Sequence, residues 1–134
     1  MAEVNKNFEL KVITPDRTFF EGEVRMVEFN TTEGQIGIYR NHIPLTVIIK
    51  PGVLTITGDQ VRKAALHSGF AEILQDRVTI LAEVIEWPDE IDQGRAEAAR
   101  DRAQKLIAER ASTTDIARAE TALNRAMARI KVLN

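Results

Sequence analysis

Apolar and polar residues alternate with a period of two through the first two-thirds of the chain. Phe8, Leu10 and Val12, for example, are separated by Glu9 and Lys11. This period is that of a β-strand with one buried face. Several such runs follow one another at close spacing, with turn-forming residues and no helical pattern between them. The sequence therefore predicts an antiparallel β-sandwich or barrel.

The conformation of one turn in this region can also be predicted. Val53–Thr57 and Gln60–Ala64 flank Gly58 and Asp59, which we expect to form a two-residue hairpin with Gly58 at positive φ. Together with the alternating runs, this turn leads us to interpret residues 1–87 as one all-β domain.

The pattern changes after Trp87 and Pro88, where the chain becomes rich in Ala, Arg and Glu. Asp89 is the expected N-cap of a first helix. A polar turn at 111–114 separates it from a second helix, so residues 88–134 are predicted to form a helical hairpin. The predicted inward positions follow the three-four spacing of a helix: Ala96, Ala99, Ala103 and Leu106, then Ile116, Ala119, Leu123, Ala126 and Ile130.

Alanine occupies many of these inward positions. A buried alanine removes little apolar area from water, and short helices are only marginally stable by themselves. We therefore expect the hairpin to dock, undock or extend at low cost.

The composition narrows the possible functions. The chain has 134 residues, a formal net charge of −2, two histidines and no cysteine. The near-neutral charge gives no reason to expect a nucleic acid, and the lack of cysteine excludes disulfides, thiolate metal sites and a Cys nucleophile. His42 and His67 have no metal-ligand spacing, and His67 and Ser68 should point to opposite faces of their strand. With no phosphate-loop or nucleophile-elbow motif, the sequence predicts a protein that is not an enzyme by itself.

Membrane contact is expected only through a partner. The first residues lack the basic and apolar regions of a secretory signal. The longest apolar runs, Leu45–Ile49 and Val78–Val84, are far shorter than the roughly 20 residues that span a bilayer. We therefore expect no direct transmembrane insertion.

The segment Glu33–Leu45, EGQIGIYRNHIPL, resembles the pattern Gly-x-x-Gly-x-Leu-Pro-x-His-x-Pro-Leu of the epsilon subunits of F-type ATP synthases. Lys50–Val53 follows at the expected distance, and Ser68–Ile73 and Val78–Ala82 resemble two strands of the same family. The resemblance covers essentially the whole chain. It departs from the family at positions 39–40, where Tyr-Arg stands in place of the commoner Leu-Pro.

This resemblance implies a rotor component of the central stalk, which couples proton flow to ATP synthesis without catalysing it. The implied partners are the gamma subunit, the c-ring and the catalytic alpha and beta subunits. The implied location is peripheral, on the cytoplasmic face of the plasma membrane, or on the stromal side of the thylakoid in a photosynthetic source. By resemblance, the interface with gamma and the c-ring includes Gly37, Tyr39, Arg40, His42 and Pro44.

A second segment, Ile91–Ala96 (IDQGRA), resembles the Ile/Leu-Asp-x-x-Arg-Ala motif of the bacterial epsilon subunits that bind ATP. It implies ATP as a regulatory ligand, with no metal site in the chain. In this mechanism the hairpin is compact with ATP bound, and it extends into the catalytic head to block hydrolysis when ATP is scarce. The implied binding residues are Glu86, Ile91, Asp92, Arg95, Ala96, Arg102, Arg125 and Arg129.

The charge pattern supports the same arginines without the family. Arg102, Arg125 and Arg129 have no acidic residue three or four positions away, whereas most other cations of the helices do. A folded hairpin would bring these groups together with Arg95, and guanidinium donors suit phosphate oxygens. The alternative explanation is a basic stripe that is simply solvated.

Two other functions stay open at this point. An epsilon-family chain whose hairpin binds no nucleotide would act as a structural adaptor. A carbohydrate- or ligand-binding sandwich with a helical tail would need an exposed aromatic platform, and the chain has only one Trp, one Tyr and five Phe.

Overall fold

A computed structural model describes residues 5–109 and 113–134, so Ala111 and Ser112 of the predicted connecting turn lie outside the described residues. Strands come first along the chain and helices last, which confirms the predicted β-sandwich followed by a helical hairpin. The strands are β1 (Phe8–Ile13), β2 (Thr18–Val24), β3 (Met26–Thr31), β4 (Gly34–Ile38), β5 (Leu45–Ile49), β6 (Gly52–Thr57), β7 (Val61–Ile73) and β8 (Arg77–Glu86). A short 3-10 turn (Pro88–Glu90) then leads to the helices α1 (Gln93–Ala108) and α2 (Thr113–Leu133).

The long strand β7 joins the two layers of the sandwich. Its first half pairs with β6 and its second half with β5, and both of these strands also pair with β3. These four strands therefore form a closed circuit, with β8, β1 and β2 continuing from β7 and β4 from β3. The pairs are antiparallel except for β1 with β8, which is parallel.

A bulge in β7 changes which side chains face inward. The register with β8 shifts between Leu66 and Gly69. Gly69 has a φ of +144°, and a Cβ there would collide with the carbonyl oxygen of Leu81, so glycine is required. Before the bulge, Leu66 points into the core, and His67 is fully buried on the opposite face, where α2 packs on β7. Ser68 points outward and donates to Glu83 at 2.9 Å.

The core of the sandwich consists of large apolar side chains from most of its strands. Those with no more than 2 % exposure include Phe29, Leu10, Ile38, Leu54, Ile56, Leu66, Ile73 and Ile80. The alternating runs of the sequence supply these residues, because every second residue of a strand faces the same layer.

Two local predictions were wrong. The turn between β6 and β7 has three residues, because Thr57 pairs with Val61, and Gly58 does not adopt a positive φ. The first helix does not begin at Asp89. The side chain of Glu90 instead accepts from the Trp87 N–H at 2.9 Å and closes the 3-10 turn, so Asp92 becomes the N-cap of α1.

The two helices pack through alanines, as predicted. Ala96, Ala103, Ala119 and Ala126 are buried, whereas Leu106 is 43 % exposed and is not an inward residue. Helix α2 also packs on β6 and β7. Ala128 and Val132 are buried as well, and they lie about 160° and about 120° around the helix from Ala126, away from the alanine seam.

Stacked side chains hold the joint between strands and helices. The rings of Phe19 and Trp87 stack at 4.1 Å between centroids with 19° between their planes. The guanidinium group of Arg62 lies 3.8 Å from the centroid of Trp87, and that of Arg17 lies 5.1 Å from Phe19. Arg17 also donates to both carboxylate oxygens of Glu90 at 2.8 Å. The chain is therefore fixed to the sandwich as far as residue 90.

Candidate functional site

A cleft of about 460 Å³ lies where the end of β8 meets the 3-10 turn and the two helices. It brings together seven of the eight residues that the motif assigns to ATP, and Arg125 is the exception. The residues that line it are Glu86, Glu90, Ile91, Asp92, Arg95, Ala96, Ala98, Ala99, Arg102 and Arg129.

The start of α1 positions the motif residues. Asp92 ends the segment after the 3-10 turn, and its Oδ1 accepts from the backbone N–H of Arg95 at 3.0 Å. An N-cap of this kind satisfies a free donor of the first helical turn. Arg95 and Arg102 follow seven residues apart, which places both side chains on one face of α1.

Arg95 and Arg102 supply the free positive charge of the cleft. Both residues are exposed. Within the described ranges, neither side chain forms an ion pair or a hydrogen bond. Their donors are therefore available to an anion.

Arg129 has an acidic partner that helical spacing could not reveal. Its Nε–H donates to Oε1 of Glu86 at 2.7 Å, across the gap between α2 and the end of β8. The two side chains are 29 % and 24 % exposed. Arg129 has no acid at helical spacing, as the sequence showed, but it is neutralised by a partner from the sandwich.

Glu86 is the carboxylate that links the two sides of the cleft, because it accepts from α2 and from β7. Its Oε1 accepts from Arg129 and also lies 2.8 Å from Nε2 of His67. Burial acts to raise the pKa of Glu86, but the hydrogen bonds from Arg129 and His67 outweigh it, so the pKa lies below its ordinary value. Glu86 is therefore ionised at neutral pH.

Arg125 lies apart from the cleft, beside a shallower groove formed by Ala117, Arg118, Thr121 and Ala122 on the same helix. Its Nε is buried and has no hydrogen-bond partner in the described part of the chain. Its charge nevertheless acts on His67, whose pKa it helps to lower.

Sequence reasoning missed two residues of this region. Glu90 lines the cleft and accepts from the Trp87 N–H, but the capping-box pattern could not have found it, because Trp stands where that pattern requires Ser or Thr. His67 contacts Glu86 from the bulge of β7, and no local pattern announces a bulge at that position.

The predicted partner interface lies elsewhere on the sandwich. Gly37 is in β4, and the other residues follow in the loop before β5. Tyr39 is 62 % exposed, and Arg40 donates to the carbonyl oxygen of Asn7 at 2.8 Å. Nδ1 of His42 is 2.7 Å from the carbonyl oxygen of Ile43, and Pro44 is exposed. Tyr39 and Arg40 also line a second cleft of about 380 Å³.

An apolar row crosses the outer face of four neighbouring strands. Ile48 of β5 pairs with Phe70 of β7, Phe70 with Leu81 of β8, and Leu81 with Ile13 of β1. Ile48 is 63 % exposed and Phe70 is 45 % exposed. These side chains form a partly exposed apolar strip on the outer face of the sheet.

The described residues contain no group of three or more His, Asp or Glu side chains placed to hold a metal ion. No helix among them combines the length and the apolar character needed to cross a bilayer.

Two models of one protein family match the chain. The beta-sandwich domain of the ATP synthase Delta/Epsilon chain matches residues 7–88, and the long alpha-helix domain matches residues 89–134. Similar chains are ATP synthase epsilon chains. The one from Caldanaerobacter subterraneus is 45 % identical, over 96 % of this chain and 95 % of the relative. The one from Herpetosiphon aurantiacus is 43 % identical, over 92 % of each.

Solved structures show the same fold. A chain in the cryo-EM structure of the Euglena gracilis mitochondrial ATP synthase (OSCP/F1/c-ring, rotational state 1) has a TM-score of 0.85 at 18 % identity. The match covers 99 % of this chain and 85 % of that one. A chain of the Tetrahymena thermophila mitochondrial ATP synthase central stalk and c-ring has a TM-score of 0.64 at 12 % identity, with 95 % and 96 % covered. Because both domain models match and relatives of similar length are more than 40 % identical, the chain belongs to the ATP synthase delta/epsilon family.

Proposed function

We propose that this chain is the epsilon subunit of an F-type ATP synthase, and that its helical hairpin regulates ATP hydrolysis by binding ATP. As a non-catalytic part of the central stalk, it transmits rotation between the c-ring and the catalytic head. The observation that carries the regulatory part is the cleft at the joint, where unpaired Arg95 and Arg102 face Glu86 and Asp92.

The cleft has the chemistry that a nucleotide requires. Guanidinium groups bind phosphate oxygens through paired donors, so Arg95 and Arg102 would hold the phosphates. Glu86 and Asp92 would accept hydrogen bonds from the adenine amino group or the ribose hydroxyls. The volume of about 460 Å³ lies within the range of small-molecule sites.

Binding at this position gives ATP a means of control. The cleft has walls from the sandwich and from both helices, so it exists only while the hairpin is docked. A ligand shifts an equilibrium only by its preference for one state, and ATP would bind the docked state alone. When ATP is scarce, the weakly packed hairpin would leave the sandwich and extend into the catalytic head. There its arginines would meet acidic segments of the alpha and beta subunits.

The sandwich supplies the fixed contacts of the proposed rotor. We infer that the apolar row of Ile13, Ile48, Phe70 and Leu81 and the loop with Tyr39, Arg40 and His42 contact the gamma subunit and the c-ring. These contacts would hold the chain at the membrane as a peripheral protein, on the cytoplasmic face of the plasma membrane or the stromal face of a thylakoid.

One observation favours a second candidate. Arg129 is already neutralised by Glu86, as expected for a chain whose hairpin is a permanent structural adaptor and binds no nucleotide.

Calorimetric titration with ATP separates the two candidates. We expect binding by the whole chain, and a loss of about tenfold to a hundredfold in affinity for Arg102→Ala, because a hydrogen bond to a charged group contributes about 1.5–3 kcal/mol. Arg118→Ala, on an exposed part of α2 outside the cleft, serves as the matched control and should bind ATP like the unmodified chain. Equal affinities for Arg102→Ala and the unmodified chain would place ATP elsewhere, and no binding to the folded chain would favour the adaptor.

Co-purification with the gamma subunit and the c-ring tests the stalk contacts. Phe70→Glu puts a charge in the centre of the apolar row and should abolish the complex. Val61→Glu is the control, because Val61 is similarly exposed but lies outside the row. If the Phe70→Glu variant still co-purified with the complex, the apolar row would not be part of the interface.

A further inference from the structure

His67 is a fully buried titratable side chain that the proposed nucleotide site leaves without a role. It lies at the bulge in β7, on the face of the strand where α2 packs, and its Nε2 lies 2.8 Å from Oε1 of Glu86. Because Glu86 is ionised and can only accept, Nε2 carries the proton and donates it to the carboxylate. His67 is thus the sandwich-side donor that holds Glu86.

Both donors of Glu86 use the same oxygen. His67 and Arg129 bind Oε1, and within the described residues Oε2 forms no hydrogen bond. Glu86 lines the cleft, so Oε2 is the oxygen left for an N–H or O–H of a ligand. The hydrogen bonds to Oε1 fix the orientation of the carboxylate and so the position of Oε2, as supporting residues of binding sites do.

We propose that His67 is a positioning residue of the cleft: in its neutral form it donates to Glu86 and holds that side chain in place. Protonation of His67 in acid then weakens the docking of α2, and with it the ATP binding that depends on docking. The ATP part of this inference rests on the function proposed above. The docking part depends only on the contacts among His67, Glu86 and α2.

The charges around His67 explain why docking weakens, and does not strengthen, as the pH falls. Glu86 faces it from β8, and Arg129 and Arg125 face it from α2. A second proton would sit on Nδ1, which is buried without a hydrogen-bond partner among the described residues. Burial is the largest cause that lowers the pKa of His67, the hydrogen bond to Glu86 opposes it, and the two arginines lower it further.

Release of α2 reverses these effects. Both arginines and the cover over the imidazole leave with the helix, so the pKa returns toward its ordinary value of about 6.5. The docked state therefore binds fewer protons than the released state. Docking keeps its full stability above about pH 6.5 and loses it as the pH falls toward the lowered pKa of the docked state, by at most about tenfold per pH unit.

Calorimetry with ATP between pH 7.5 and 5.5 tests the coupling in three chains. His67→Gln retains an N–H donor for Glu86 but cannot titrate, and His42→Gln removes the other histidine, which lies on the loop before β5. ATP itself takes up a proton near pH 6, so the informative quantity is the ratio between chains. We expect the affinity of the unmodified chain and of His42→Gln to fall up to about tenfold more than that of His67→Gln. Identical pH profiles for all three would overturn the proposal.

A ligand-free measurement separates this proposal from the ATP site. Because the chain has no cysteine, labels on Asp59→Cys and Asn124→Cys report the distance between the sandwich and α2 without background. We expect this distance to increase in acid in the parent chain, and not with His67→Gln. A pH-dependent distance together with no ATP binding at any pH would refute the nucleotide site alone. A pH-independent distance, or an NMR titration of His67 at the ordinary pKa while α2 stays docked, would refute the role of His67.

Discussion

The sandwich and the hairpin are both folded, but they are held by side chains of different size. The sandwich buries Phe29, Leu54 and other large residues almost completely, whereas the buried residues of the helices are alanines and Val132. A large apolar side chain contributes about 1.5–3 kcal/mol on full burial, against about 0.8 kcal/mol for one methylene-sized group. The sandwich therefore has a stable core of its own, and the hairpin depends on small contacts and on the polar cluster around Glu86.

Under the function proposed above, this difference would allow one chain to combine a fixed platform with a movable regulatory element. A rotor contact has to stay fixed under load, which requires a tightly packed core. A regulatory element has to change position for a few kcal/mol of ligand energy, which requires that little apolar area be lost when it moves.

The largest effect is expected in the sandwich. Phe29→Ala removes a side chain with no exposure and should lower the free energy of unfolding by about 3–5 kcal/mol. Urea denaturation followed by the fluorescence of Trp87 measures this change. A loss below about 1.5 kcal/mol would mean that the core is not the main source of stability.

The next effect concerns the contact between the two regions. Arg129→Ala removes the donor that α2 gives to Glu86 and should weaken docking by about 1.5–3 kcal/mol, the usual contribution of a charged hydrogen bond. Hydrogen exchange should become faster in residues 113–134 and stay unchanged in β1 and β8. Arg118→Ala, exposed on the same helix, is the control. Equal acceleration in both variants would show that the Glu86 contact does not hold the hairpin.

A smaller effect is expected in the seam between the helices. Ala126→Leu overfills a position with 1 % exposure and should destabilise the hairpin by about 1–3 kcal/mol. Ala122→Leu adds the same atoms at an exposed position of α2 and should be neutral. The helical circular dichroism signal during thermal unfolding distinguishes them, and similar curves would contradict close packing at Ala126.

The smallest effect tests where α1 begins. Asp92→Ala removes the N-cap and should cost about 1 kcal/mol of helix stability. Asp89→Ala, at the position that sequence reasoning favoured, should change stability by much less. Hydrogen exchange of the first turn of α1 measures both variants. A larger effect of Asp89→Ala would mean that α1 begins at Asp89 and not at Asp92.

The sequence predicts most of the architecture because the buried faces follow simple periods. Alternation gives the strands, and three-four spacing gives the alanine seam at Ala96, Ala103, Ala119 and Ala126. The parallel pairing of β1 with β8 was not predicted, because it joins the two ends of the sandwich and has no local signal. The start of α1 was misplaced because both Asp89 and Asp92 are acceptable caps, and a side chain from Arg17 that holds Glu90 decides between them.

The candidate site was predicted from a motif and from charges counted along the helices. That count identifies cations without a partner on their own helix, and among the described residues Arg102 forms no ion pair and Nε of Arg125 has no hydrogen-bond partner. It cannot see partners from another element, so it missed Glu86 as the partner of Arg129. It also gave no role to His67, because this residue meets Glu86 and the arginines of α2 only once the helix packs on β7.

The stack of Phe19 and Trp87 would determine where the proposed movement of the hairpin begins. The rings and the Arg17–Glu90 contact anchor the chain up to residue 90. Ile91 and Asp92 join this anchored part to α1, and both line the cleft. Helix α1 has 16 residues and extends roughly 24 Å from that point at about 1.5 Å per residue. Under the function proposed above, a ligand in the cleft would therefore act at the start of α1, where a change in the direction of the helix displaces its far end the most.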